Sequence, residues 1–355
     1  MSSKERSEVK LITESFIRPK HELEPSKQVH YLGPIDLYVL PPSFKDSLSV
    51  SLLHFYPLAG QFTTQKFPNE HASSIYVDCI KGPGAGLLHA SVDMTLQDGM
   101  FIGFTMNHST GDGTSLWHFI SSLSEIFLQL HNGKYEDSLS VSKKRIYGPI
   151  LPEGYDRSLK LPYLEPEEFV FQFEPGPLRE RIFHFSSTAI TKLKTKAQSW
   201  GWEINPPLSE AQFGNVIIMA LTSCKIAKLL GQDLGWAAKL INRGIMMYDD
   251  KRIRECVSSI VKAPHVAQTS PEFASYMRNN LWIGGSMRFD MYGPEFGLGP
   301  AVAVLAGFAN KHDGKVVANP GCDGGGTVDL EVCLEPNVMD ALELDGEFMS
   351  FVSSN

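Results

Sequence analysis

The chain is poor in the features that would assign it quickly. Its five cysteines (Cys79, Cys224, Cys256, Cys322, Cys333) are odd in number and far apart in 355 residues. A disulfide framework is therefore not expected, and the thiols read as reduced core filler in a cytoplasmic protein. Long hydrophobic runs are missing too: VIIMALTS at 216–223 is the best of them and stops short of Lys225, so no membrane span is expected. The leading MSSKERSEVK has charge and no apolar centre, which gives no sign of a secretory leader. No basic stripe stands out and the net charge is −8, which argues against a nucleic-acid partner. Repeats and low-complexity tracts are absent. GPGAG at 82–86 has no following helix with Lys and Ser/Thr, so it reads as a turn, not a phosphate cradle. What remains is 43% hydrophobic and 20% charged, with 30 Gly and 22 Pro, the make-up of an ordinary globular enzyme of one large or two smaller domains.

One stretch organises the rest: MFIGFTMNHSTGDGTSLWHFISSLSEIFLQL, Met100 to Leu130. Met100–Met106 is a short apolar run of the length of a buried strand. Asn107–Gly113 is a polar, glycine-containing turn. From Thr114 onward Leu116, Ile120, Leu123, Phe127 and Leu130 recur at helical spacing, with Ser121, Ser122, Ser124 and Glu125 on the other side. The turn carries His108 and Asp112 in a His-x-x-x-Asp-Gly pattern. A histidine held there can present one ring nitrogen to a cleft while the other is fixed, and can take a proton from a hydroxyl or amine. Asp112 would orient it or brace the turn. One histidine and one carboxylate are too few for a zinc site. The pattern alone is weak: His89 and Asp93 repeat the spacing in GLLHASVDMT, without the glycine or the strand–turn–helix frame, and read as a half-exposed strand.

Elsewhere, strands are expected at Val9–Ile17, at two places in Gln61–Asp78, and at Arg181–Phe185, Leu281–Phe289, Gly299–Phe308 and Thr327–Leu334. Helices are expected at Ser43–Phe55, at Ser186–Ser199 with a serine cap, at Asn215–Leu230, at Leu234–Lys262 with a break near Tyr248–Asp250, and at Pro336–Val352. Pro25 and Pro34 punctuate a loop, and 131–168 reads as a crossing between halves. The class is α+β in sheet-and-helix layers.

MNHSTGDGTSLWHFISSLSEIF resembles the active-site segment of the plant BAHD acyltransferases. LLHFYPLAGQF (52–62), with Gln61 in the place of the usual Arg, PPLSEAQFGN (206–215) and RFDMYGPEFGLGPAVAV (288–304) resemble three further segments of that family, in family order. The wording is most similar to the pathogen-susceptibility and cuticle-defective branch. The resemblance implies two similar domains of the chloramphenicol-acetyltransferase-like kind, 1–168 and 169–355, with the active-site channel between them. It implies transfer of an acyl group from coenzyme A to a small alcohol or amine by a monomer. Acyl-CoA is then a co-substrate, with no permanently bound cofactor. His108 would be the general base, Asp112 structural, and Ser286 an oxyanion donor. Gly113, Glu295, Phe296, Gly297, Leu298 and Gly299 would be structural, with Glu295 and Leu298 standing where the family has Asp and Trp. Two junctions are short against the family pattern: VDMT (92–95) runs into LQDGMFIG, and WGWEIN (200–205) into PPLSEAQ. The Arg that pairs with the Asp in relatives has no counterpart before Pro206. Two other readings stay open: a non-catalytic relative that binds a metabolite or partner, and a different His-x-x-x-Asp-Gly transferase such as a condensation domain.

Overall fold

The computed structural model describes residues 9–20, 42–92, 100–133, 146–147, 159–168, 176–196, 212–215, 217, 219–264, 280–307 and 311–353. The leading segment, the Pro25–Pro34 loop, both short junctions and most of the crossing lie outside them.

Two helices make the first core. α1 (Pro42–His54) and α2 (Gly113–His131) lie against each other through Leu48, Leu52 and Phe55 on one side and Phe119, Ile120, Leu123 and Phe127 on the other. α2 starts where it does because Asp112, in extended conformation, accepts the Ser115 N–H at 2.9 Å, satisfying one of the donors that a helix start leaves open. Its apolar stripe then recurs at the helical period. Phe55 is fully buried and meets Phe119 edge-on at 5.3 Å. The serines expected on the solvent side of α2 correct that expectation: Ser122 and Ser124 are 3% exposed. The helix is covered on two faces, by α1 and by the turn at 295–299, whose Phe296 N–H donates to Ser124 Oγ at 3.1 Å.

Around this pair lie small sheets. β1 (Val9–Ile17) pairs antiparallel with β4 (Ala85–Val92), and β2 (Gln61–Phe67) with β3 (Ala72–Asp78). His89 sits in β4 opposite Thr13. The end of the crossing is fastened to the second hairpin by a Ser73–Leu161 bridge, by Ser73 Oγ donating to Tyr163 O, and by Lys66–Glu165 and Lys160–Glu70 ion pairs. β5 (Ile146–Tyr147) runs parallel to β7 (Gln212–Phe213).

The second core is a four-stranded sheet in the order β6 (Arg179–Phe185), β10 (Val328–Leu334), β9 (Lys315–Pro320), β8 (Trp282–Gly284), the last pair parallel. Alternation puts Val328, Leu330, Val332 and Leu334 on one face. There they meet Phe183, Phe185, and Met339 of α7 (Pro336–Leu344) and Phe348 of α8 (Gly346–Met349). The helix expected at Pro336–Val352 is thus two, broken at Asp345, which caps the second. Arg179 pairs with Asp340 and Glu343, and Arg181 with Glu343. α3 (Ser187–Lys196) follows β6, with Ser186 Oγ accepting the Ala189 N–H. The expected long helix is α5 (Leu234–Met246) and α6 (Asp250–Lys262), divided where Asp249 caps the second.

Four expectations of regular structure fail, and they fail together. Met100–Met106 is irregular, with Phe101 75% exposed. Among the described residues of Asn215–Leu230, α4 (Ile226–Leu230) is the helical part. Leu281–Phe289 shrinks to β8, and Gly299–Gly307 is irregular, with Val302 90% exposed. A strand needs a neighbour for its N–H and C=O groups. Among the described residues no strand pairs with Met100–Met106 or Gly299–Gly307.

Candidate active site

The turn before α2 is built by local hydrogen bonds. Asn107 Oδ1 accepts the Ser109 N–H at 2.9 Å, and Asn107 O accepts the Thr110 N–H and hydroxyl at 2.9 and 2.6 Å. This leaves His108 exposed at the crown. Its partner comes from 107 residues further on. Asn215 Nδ2 donates to His108 O at 2.6 Å, and Asn215 Oδ1 stands 3.2 Å from His108 Nδ1.

These two contacts together assign the ring tautomer by hydrogen-bond complementarity. A backbone carbonyl can only accept, so the amide nitrogen of Asn215 must face it, and the amide oxygen must face Nδ1. That oxygen also only accepts, so Nδ1 carries the hydrogen. In the neutral ring the lone pair is then on Nε2, the nitrogen left over.

Asp112 is the N-cap of α2, and its own N–H donates to Gly214 O at 3.3 Å. Ser115, fully buried in the first turn of α2, reaches the same residue: its hydroxyl donates to Gly214 O at 3.1 Å and accepts the Gly214 N–H at 3.0 Å. Phe213, next to it, is buried against Phe55 at 5.5 Å. Three successive residues, 213 to 215, thus meet the first core, the start of α2 and the histidine.

The other predicted residues are distributed along the same helix. Gly113 is overlain by Phe289: a Cβ there would fall 2.9 Å from Phe289 Cζ, so a larger residue would have to push the ring aside. Ser286 stands in that neighbouring turn, its hydroxyl accepting the Arg288 N–H at 3.2 Å and its carbonyl the Phe289 N–H at 3.3 Å. Glu295–Gly299 lies elsewhere. Its Phe296, at a left-handed φ of 48°, inserts among Phe44, Phe104 and Phe127 and belongs to the first core. Ser124, which receives the Phe296 N–H, is twelve residues beyond Asp112, about 18 Å along the helix at 1.5 Å per residue. Leu298, at the position of the family's Trp, is exposed. Asn215 and Ser115 were missed as site residues. PPLSEAQFGN pointed to the segment, but nothing in it names a partner a hundred residues away.

The fold is α+β with two cores, and comparison with known proteins gives its class, an acyltransferase. The Transferase family model matches residues 95–201 and 202–349, and the chain belongs to that family, the BAHD acyltransferases. An uncharacterised acetyltransferase of Arabidopsis thaliana is 24% identical, over 97% of this chain and 99% of its own length. The Arabidopsis BAHD acyltransferase DCR is 25% identical over 86% of this chain and 80% of its own. The crystal structure of vinorine synthase shares the fold, with a TM-score of 0.62 at 14% identity over 98% of this chain and 99% of its own. The architecture is accordingly the chloramphenicol-acetyltransferase-like one. The first alignment occupies 448 positions against 355 residues here. At least 93 positions of that relative therefore have no counterpart, and they fall inside the chain. The family match begins at 95 and breaks at 201/202, beside the two junctions that read as short.

Proposed function

We propose that the chain transfers an acyl group from an acyl-CoA thioester to the hydroxyl or amine of a small plant acceptor, with His108 as general base. The observation that carries this reading is the Asn215 clamp, which leaves Nε2 with its lone pair on an exposed ring. In the reaction, Nε2 takes the acceptor's proton as its oxygen or nitrogen attacks the thioester carbonyl, and a tetrahedral oxyanion forms. Ser286, in the turn that Phe289 seats on Gly113, is assigned to donate to that oxyanion. Collapse breaks the C–S bond, and the imidazolium returns its proton to the departing thiolate as free CoA. Asp112 acts through the turn. Acyl-CoA is a co-substrate, and no resident cofactor is assigned.

The test is thiol release from acetyl-CoA with a panel of phenols, aliphatic alcohols and amines, using the full chain and its His108→Ala variant. The variant should lose about 10²- to 10⁴-fold; transfer close to the wild-type rate would sink the assignment. One observation favours a second reading, a binding protein without turnover: Met100–Met106, which leads into the turn, is irregular instead of a strand. Calorimetric binding of coenzyme A, with no thiol release from acetyl-CoA for any acceptor, would support it.

A further inference from the structure

His108 and Asn215 are both exposed. A hydrogen bond open to water competes with water at every moment and contributes little on its own. Their pairing needs an anchor that water does not reach, and the structure holds one residue away. We propose that Ser115 is a positioning residue of this site: its buried hydroxyl holds Gly214, through Gly214 it holds Asn215, and Asn215 then keeps the His108 proton on Nδ1. The inference rests on the reading of His108 as base.

The chemistry of the contact is specific. One hydroxyl gives its hydrogen to Gly214 O and takes the Gly214 N–H on a lone pair, at 3.1 and 3.0 Å. No aliphatic side chain of any size can do either. Ser115 is 0% exposed, so no solvent competes. Its own N–H is spent on Asp112 Oδ1 at 2.9 Å, which ties the same residue to the cap. The fit is close on both sides. A Cβ on Gly111 would lie 2.8 Å from Ser115 Cβ, and Gly214 has a φ of 141°, a conformation that L side chains rarely adopt. With Phe213 fixed in the core on one flank, a held Gly214 leaves the Asn215 side chain little choice but His108. His108 and Ser115 also lie seven residues apart, on either side of the Asp112 cap. The clamp therefore closes a ring of contacts around the cap of α2.

The experiment reads the ring nitrogens directly. The full chain is labelled with ¹⁵N-histidine, and His108→Gln identifies which of the eleven histidines is the relevant one. In the neutral wild type, His108 should show a protonated Nδ1 and a bare Nε2. Ser115→Ala and Asn215→Ala should each move it to a mixture of tautomers. The double variant should match Asn215→Ala, because Ser115 acts only through Asn215. Where transfer is measurable, Ser115→Ala should lower kcat about 10- to 100-fold with KM nearly unchanged. A folded Ser115→Ala with the wild-type nitrogen pattern, or a double variant more perturbed than Asn215→Ala, overturns the proposal. If Ser115→Ala does not fold, Gly214→Ala decides instead. Its Cβ meets nothing within 4 Å, so it disturbs only the backbone conformation, and the same tautomer shift is expected; an unchanged pattern overturns the proposal. The nitrogen spectra need no substrate. Absence of transfer from a protein with the fixed tautomer would count against the acyltransferase reading and leave this one standing.

Discussion

Met100–Met106 and α2 are neighbours in sequence, yet one is irregular, with Phe101 exposed and Ile102 and Phe104 half-buried against the first core, and the other is the centre of that core. The difference is in who satisfies the backbone. A helix closes its own N–H to C=O ladder, so the start and the buried face of α2 follow from its Asp112 cap and its apolar stripe. A strand closes nothing by itself, and its register, sidedness and burial all wait on a neighbour. The same holds for Gly299–Gly307, and the aligned relative has at least 93 positions that this chain does not.

The widest separation to test is in hydrogen exchange. Amides of Phe119–Phe127 should exchange slower than those of Met100–Met106 by about three orders of magnitude or more; comparable rates would mean the irregular segment is covered in solution. Next comes a pair of truncations read by chemical denaturation. Phe55→Ala, from a fully buried ring, should destabilise by about 3–5 kcal/mol, while Phe101→Ala should stay within about 0.5 kcal/mol. A large loss at Phe101 would break the contrast. Ser124→Ala leaves the Phe296 N–H without its buried acceptor and should destabilise by about 1–3 kcal/mol, sharpening the point that α2 is held on two faces. The smallest effect belongs to the second core. The hydrogen bond from Arg181 holds the Glu343 carboxyl below the usual carboxylate range, with the Arg179 and Arg181 charges adding to it. A depressed carboxylate contributes stability while ionised and loses it as pH falls through its folded value. Glu343→Gln should therefore lower Tm slightly at neutral pH and flatten the decline of Tm on acidification.

This contrast also explains what the sequence disclosed. Helices with clear apolar spacing were legible: α1 and α2 follow from it, and the break before α6 was expected near Tyr248–Asp250. So were hairpins whose two strands adjoin, β2 with β3, and β10 after its glycine turn. β9, the partner of β10, went unremarked because KVVANP offers little alternation. Strands in need of distant or missing neighbours were misread, since an apolar run carries no record of whether a neighbour exists. At the site, His108, Asp112 and Gly113 share one turn and were visible as a pattern. Asn215 and Ser115 were not, because their meanings lie in contacts spanning 107 and 99 residues. The buried serines of α2 misled for a related reason: a hydroxyl looks solvent-seeking until the N–H it serves is known.

The bond from Phe296 to Ser124 spans 172 residues. A ribosome adding about 5–20 residues per second delivers Phe296 roughly 9–34 s after Ser124, and Gly214 about 5–20 s after Ser115. Throughout that interval the nascent chain carries α2 with one flank bare and its histidine loop unclamped. The amino-terminal half is thus a poor candidate for early folding on its own. A nascent chain arrested before residue 296 should remain a client of chaperones, and catalytic geometry becomes available only late in synthesis.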